Sequence, residues 1–246
     1  DTIIDLTVIK EFINIYPKKE YLILCPRQME PYVNEILPDI NCFPINKRNF
    51  FDLYKIIKYL KKNQFDIGFN PWSNGIDSCF YLTFTKKYLC FKDFVKPELI
   101  NHYDVVREYL NCPRREWKIN DFSLNNNYKN ILICPQSTDD DRSITKKQLS
   151  NIVSELNAKY ADVSITIAAM NKSYFTIKEK SFIFNKSKDS SSQFIETIKK
   201  KDLIICSDSG PLHIASVLNK PVIAYFRNTN PEIVINTNTK VKLEFL

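Results

Sequence analysis

Near the end of the chain, Ser207-Asp208-Ser209-Gly210-Pro211 separates the apolar run DLIIC from the stretch PLHIASVL, and this junction carries the most specific chemistry in the sequence. Glycine occurs only three times, at Gly68, Gly75 and Gly210, so a glycine at a strand-to-helix turn answers a backbone need. Pro211 suits the first turn of a helix, and Asp208 and Ser209 are the candidate caps. A helix N-terminus presents unsatisfied amides and the positive end of a dipole. At the C-terminal edge of a parallel sheet such a terminus suits a diphosphate. An ordinary capped turn fits the same residues. His213 falls in the first turn of this helix, where its ring could donate to a phosphate.

Other reactive residues are sparse. The run Asp139 to Asp141 invites a metal, but a solvated loop that caps the next helix accounts for it better. The seven cysteines (Cys25, Cys42, Cys79, Cys90, Cys112, Cys134 and Cys206) are scattered through apolar runs without a CxxC pair. They read as small core residues in a reducing compartment. With only His102 and His213 besides, no metal is expected. His102 reads as a surface or capping histidine, and Asp1 as the cap of the helix it precedes.

These residues need elements to position them. Ile4, Val8, Phe12 and Ile15 recur at helical spacing up to Pro17, so a helix opens the chain. Tyr21 to Cys25 and NCFPI read as strands flanking a helix around 31–37. FFDLYKIIKYLKKN follows as an amphipathic helix, FDIGFN as a strand, 76–84 as a helix, KYLCF as a strand and HYDVVREYLN as a helix. Past the polar tract SLNNNYKN the alternation restarts with strand NILIC, a helix over 145–159, strand VSITIA, a helix across 174–180 and strand FIF. A helix over 190–200, strand DLIIC, a helix over 211–218 and strand PVIAYF complete it. Two such series joined by a linker predict two Rossmann-like domains, 1–122 and 123–246, with parallel sheets facing across a cleft.

At 246 residues the chain is long enough for two cores. Its 44% hydrophobic content argues against disorder, and no apolar run reaches the roughly 20 residues of a membrane helix. The net charge of +7 is spread over several clusters without the aromatic interleaving of a single-strand nucleic-acid groove. Solvated helix faces explain the clusters, and a basic excess also suits anionic substrates or an anionic membrane leaflet.

The string SDSGPLHIASVLNKPVIAYF resembles the signature of glycosyltransferase family 9, the ADP-heptose:lipopolysaccharide heptosyltransferases, in which a D-[ST]-G-x-x-H core precedes a small-residue helix and a proline-led strand. The resemblance implies a GT-B fold with the donor on the C-terminal domain. Asp208, Ser209, Gly210 and His213 then stand at the donor diphosphate. The segment Cys134 to Arg142 looks like the family's phosphate-gripping loop, which gives Ser137 and Thr138 hydroxyls and amides for the donor and sets Arg142 against the diphosphate. Asp1 falls where the family carries its proposed general base, and Trp72, Ser73 and Asn74 fall on the acceptor side. Arg227-Asn228 replaces the family's Gly-Pro, and the chain looks short at both ends of the family pattern.

The implied activity is an inverting, metal-independent transfer of a sugar, by analogy heptose from ADP-heptose, onto a lipopolysaccharide or other glycan acceptor. No cofactor beyond the nucleotide-sugar is implied. Such an enzyme is expected in the cytoplasm, with peripheral contact at the inner membrane and no nucleic-acid partner. The competing reading is a degenerate GT-B relative that binds nucleotide, sugar or a partner without turnover.

Overall fold

The computed structural model describes residues 2–46, 49–70, 83–90, 101–116, 118, 120, 122, 128–160, 162–174, 180–185, 187–237 and 239–245, with only the backbone of 88–90. The chain divides into two compact units, Asp1–Arg114 and Arg115–Leu246.

In the first unit helix α1 (Thr2–Ile15) precedes strand β1 (Leu22–Pro26), helix α2 (Glu30–Ile36), strand β2 (Asn41–Ile45) and helix α3 (Phe50–Asn63). Strands β3 (Ile67–Asn70) and β4 (Lys87–Cys90) and helix α4 (His102–Tyr109) follow. β1 pairs with β2 and β3 with β4, both parallel. The helical spacing of apolar residues in α1 has the expected result, because Ile4 and Val8 pack on Tyr103 and Val106 of α4. A second cluster sets Ile56 and Leu60 of α3 against Ile45, with Leu22, Leu24 and Phe43 around them. Asn49 caps α3 by accepting from the Phe51 and Asp52 amides. Asn101, rather than His102, caps α4 by accepting from the Tyr103 amide at 2.9 Å.

Arg107 was invisible as anything but surface charge in the sequence, yet its side chain is 1% exposed. It donates to both carboxylate oxygens of Glu11, at 3.0 and 3.1 Å, and to Asp104 at 2.8 Å. Burial works against its charge, and its hydrogen bonds to Glu11 and Asp104 outweigh that and raise its pKa.

The second unit contains β5 (Asn130–Cys134), α5 (Lys146–Lys159), β6 (Ser164–Ala169), β7 (Lys180–Ile183), α6 (Lys188–Lys199) and β8 (Leu203–Ser207). Helix α7 (Gly210–Val217), β9 (Val222–Phe226), α8 (Pro231–Val234) and β10 (Val241–Phe245) close it. All six strands are parallel, in the order β10-β9-β8-β5-β6-β7. The central strands β5 and β8 are apolar along their length because helices cover both faces of such a sheet. Leu149, Ile152, Val153 and Leu156 of α5 pack onto Ile131, Ile133, Ile165 and Ile205. Thr145 and Gln148 close a capping box at the start of α5. Asn219, at φ 53°, supplies the left-handed residue that ends α7.

Four expectations change. The contacts divide the chain at Arg114/Arg115 rather than at 122/123, because Thr237 accepts from the Lys118 amide and donates to Glu116 O, and Asn120 bridges to Lys240. Tyr128, assigned to the linker, is a core residue with its ring 6.0 Å from that of Tyr160. Lys180 opens β7 instead of ending a helix, and only a short 3-10 turn at Lys172–Tyr174 is described before it. Strand β10 was not expected: VKLEF carries its apolar residues alternately, as a sheet-edge strand does, inside a run that reads as a polar tail. The helix expected over 76–84 falls largely outside the described residues.

Candidate functional site

Chain order fixes where a ligand can sit. From β5 the chain runs outward through β6 and β7, then returns to β8 on the other side of β5 and continues to β9 and β10. The order reverses between β5 and β8, and at such a point the two following loops diverge and leave a crevice at the C-terminal edge. Cys134 and Cys206 are register partners, so the loop after β5 and the loop after β8 start side by side.

The loop after β5 is closed on itself. Ser137 N donates to Ser143 Oγ at 2.9 Å, Ser143 Oγ donates to Asp139 O at 3.3 Å, and Ile144 N donates to Pro135 O at 2.8 Å. Gln136 Oε1 accepts from the amides of Met170 and Asn171, both at 3.0 Å, which ties this loop to the end of β6. Asp139 caps a short 3-10 turn, Asp140–Arg142, by accepting from Asp141 N. The acidic run thus caps a 3-10 turn and not, as expected from the sequence, the next helix; α5 is capped by Thr145.

Ser137 also reaches the second loop, donating from Oγ to Asp208 O at 3.3 Å. At 3% exposure, with its N–H donated to Ser143 Oγ and its O–H to Asp208 O, Ser137 holds the two loops together. Thr138 beside it is exposed.

Arg142 and Asp208 meet between the two loops. Arg142 Nη1 lies 3.3 Å from Asp208 Oδ2, and its Nε lies 3.5 Å from Asp139 Oδ2. The guanidinium is 35% exposed and the Asp208 carboxylate 4%. The sequence named both residues without pairing them, since 66 positions separate them.

Neither expected cap closes α7. Asp208 is turned to Arg142, and Ser209 occupies the N-cap position without a side-chain cap bond. Its Oγ instead donates to Ser207 O at 3.2 Å and accepts from Ser207 Oγ at 3.3 Å. Gly210 begins the helix with nothing within 4 Å of where a Cβ would be, so the backbone there is open. Its φ is not positive, so the turn itself does not require a glycine. His213 lies three residues into the helix, partly buried. Arg227 follows β9 at the same sheet edge and is exposed.

Burial pushes the Cys134 and Cys206 thiols well above their usual range, and Asp208 raises Cys206 further, so neither supplies a thiolate. Among the described residues no group of three or more His, Cys, Asp or Glu is arranged to hold a metal ion. Sequence reasoning thus located the loops, and the structure brings Ser137, Arg142, Asp208, Ser209 and Gly210 together. It missed Gln136 and Ser143, whose only sequence signal is their place in a polar loop after a buried strand. Asp1, Trp72, Ser73 and Asn74 lie outside the described residues.

The sequence profile described as "Glycosyltransferase family 9 (heptosyltransferase)" matches residues 54–243. Lipopolysaccharide heptosyltransferase 1 of Campylobacter coli is 32% identical over 48% of this chain, a stretch that spans 40% of that enzyme's length. Lipopolysaccharide core heptosyltransferase OpsX of Haemophilus influenzae is 22% identical over 92% of this chain and 75% of its own length. Among solved structures, E. coli ADP-heptose lps heptosyltransferase II superposes with a TM-score of 0.77 at 12% identity, covering 99% of this chain and 86% of its own. A family 9 glycosyl transferase from Veillonella parvula gives 0.72 at 13% identity, over 99% and 82%. At these identities the structural matches establish a shared fold.

Proposed function

Because the chain belongs to glycosyltransferase family 9, we propose that it transfers a sugar from a nucleotide-sugar to a glycan acceptor, by analogy heptose from ADP-heptose onto a lipopolysaccharide core. The observation that carries this reading is the meeting of Arg142, Asp208 and the side-chain-uncapped start of α7 at the switch point between β5 and β8.

In this reading the second unit holds the donor and the first unit the acceptor. The diphosphate takes Arg142 from Asp208 and faces the start of α7, where the amide of Gly210 and the positive helix end favour anions. Breaking the anomeric C–O bond leaves added negative charge on the departing diphosphate. A guanidinium and a helix start oriented beforehand stabilise that charge more than they stabilise the bound donor, which lowers the barrier without a metal ion. Ser137, Thr138, Ser209 and His213 complete the proposed donor contacts. Attack by an acceptor hydroxyl in one displacement inverts the anomeric centre, and Asp1 is the proposed base for its proton. Trp72, Ser73 and Asn74 are proposed on the acceptor side.

A panel of nucleotide-sugars tested for thermal stabilisation checks the site, because a ligand that binds only the folded state raises the melting temperature. Stabilisation by one nucleotide-sugar, with nucleoside diphosphate released once a glycan acceptor is added, is the expected result. Binding without transfer would favour a non-catalytic relative, and no stabilisation by any of them would overturn the donor site.

A further inference from the structure

Helix α3 turns its apolar side inward, with Ile56 and Leu60 buried and Leu53 and Ile57 packed beside them. Its outer face is not simply polar. Phe50, Phe51 and Tyr54 are 74%, 73% and 58% exposed, and Lys55, Lys58, Lys61 and Lys62 are exposed on the same side of the helix. At 100° per residue these seven positions fall within a single arc of about 140°. Scattered exposed apolar residues are ordinary, but three aromatic rings within one turn and a half, followed by lysines, form a continuous patch.

The only acid of α3, Asp52, is withdrawn from this face. It accepts from Arg27 at 3.0 Å and from the Asn46 amide at 3.2 Å, and its side chain is 13% exposed. The outer face therefore carries lysines with no carboxylate among them.

We propose that the exposed face of α3 docks on an anionic phospholipid surface, with Phe50, Phe51 and Tyr54 entering the headgroup boundary and Lys55, Lys58 and Lys62 meeting lipid phosphates. Aromatic rings with polar neighbours favour that boundary, and lysine stems let the ammonium groups reach phosphates while their methylenes lie along the apolar layer. A negative surface attracts juxtaposed lysines, so sign and geometry agree. The same face suits a second copy of the chain poorly, because docking two copies would bring the lysines of each against those of the other, and lysine is depleted at protein interfaces. Lys61 is partly engaged, its Nζ lying 5.8 Å from the Phe84 ring centroid.

A lipid-borne acceptor gives this surface its purpose, so the proposal rests on the transferase reading for its role though not for its chemistry. Co-sedimentation of the full chain with vesicles of phosphatidylcholine, with and without phosphatidylglycerol, tests it. Binding is expected only to the anionic vesicles and should fall with added salt. The Phe50→Ser/Phe51→Ser/Tyr54→Ser variant should bind at least roughly tenfold more weakly, and Lys55→Gln/Lys58→Gln/Lys62→Gln should lose the anionic preference. Both variants should keep the wild-type melting temperature and the wild-type stabilisation by nucleotide-sugar, which separates this surface from the donor site. No binding to either vesicle, equal binding by the aromatic variant, or a dimer in light scattering that the aromatic variant dissolves would each overturn the proposal.

Discussion

Replacing Arg142 by Gln separates the ion pair this side chain makes with Asp208 from the diphosphate contact proposed for it. In the free protein its guanidinium neutralises Asp208, whose carboxylate is 4% exposed. Removing it leaves that carboxylate without a cation, at a cost of about 1–3 kcal/mol. The value stays below the 3–5 kcal/mol typical of fully buried pairs because Arg142 is itself 35% exposed and water can reach the gap. Binding of a nucleoside diphosphate should lose a charge-assisted contact of about 1.5–3 kcal/mol, roughly a 10- to 150-fold rise in Kd. Asp208→Asn should act in the opposite sense. It frees Arg142 from a partly exposed pair worth about 0.2–1 kcal/mol, so a nucleoside diphosphate should bind as tightly as before or up to roughly fivefold tighter. Titration calorimetry with ADP measures both variants, and thermal unfolding measures the stability change. If Arg142→Gln binds ADP like the wild type, or Asp208→Asn loses binding altogether, the diphosphate does not compete with Asp208 for Arg142 and the reasoning fails.

Two further predictions concern buried charge. Glu11→Ala takes from the 1%-exposed Arg107 the carboxylate that accepts two of its hydrogen bonds and should destabilise the first unit by about 2–4 kcal/mol in denaturant unfolding, whereas an exposed lysine such as Lys58 changed to Ala should alter stability by less than about 0.5 kcal/mol. Lys201 is 9% exposed, donates to Thr166 Oγ1 at 2.7 Å, and has its pKa lowered from 10.5 by burial and by Lys180. A lysine whose folded pKa is depressed opposes folding while charged, and that cost is fully present below the folded pKa and disappears as pH rises through 10.5. Lys201→Met should therefore be as stable as the wild type or more so at pH 7, with the difference shrinking towards pH 10. A variant markedly less stable at pH 7 would show that the hydrogen bond to Thr166 outweighs the burial.

Most of the helices and strands were legible because each follows from a local rule. Buried parallel strands such as NILIC and LIICS are continuous apolar runs, and α5 announces itself by a Thr145–Gln148 capping box ahead of residues spaced for one face. The site was legible only as two loops. Nothing local says that the side chain of Ser137 turns inward to Asp208 O, or that Asp208 turns to Arg142 instead of capping the helix that follows it. Those choices depend on β8 lying beside β5, which is a property of strand order. Arg107 escaped for a related reason: its buried position is set by Glu11, on a helix 96 residues away. Tyr128 was misassigned because a polar tract precedes it, although a lone tyrosine just before a buried strand marks the first residue inside the core as readily as the last one outside.

The start of α7 ties these observations to function. Two good capping residues precede this helix, and a side-chain cap there is worth about 1 kcal/mol, yet neither forms one. Ser209 is held by Ser207, and Asp208 is held by Arg142 from a loop that Ser137 fastens in place. The helix end is thus kept open by contacts that extend into the neighbouring loop, and the backbone at Gly210 has no close neighbour where a side chain would be. An open, positively polarised helix end beside a guanidinium held by an exchangeable carboxylate has little structural use on its own. It is the arrangement expected if, as we propose, a dianionic group replaces the carboxylate: Arg142 would then exchange one anionic partner for another, and the α7 terminus would gain the partner that its own sequence could have supplied and does not.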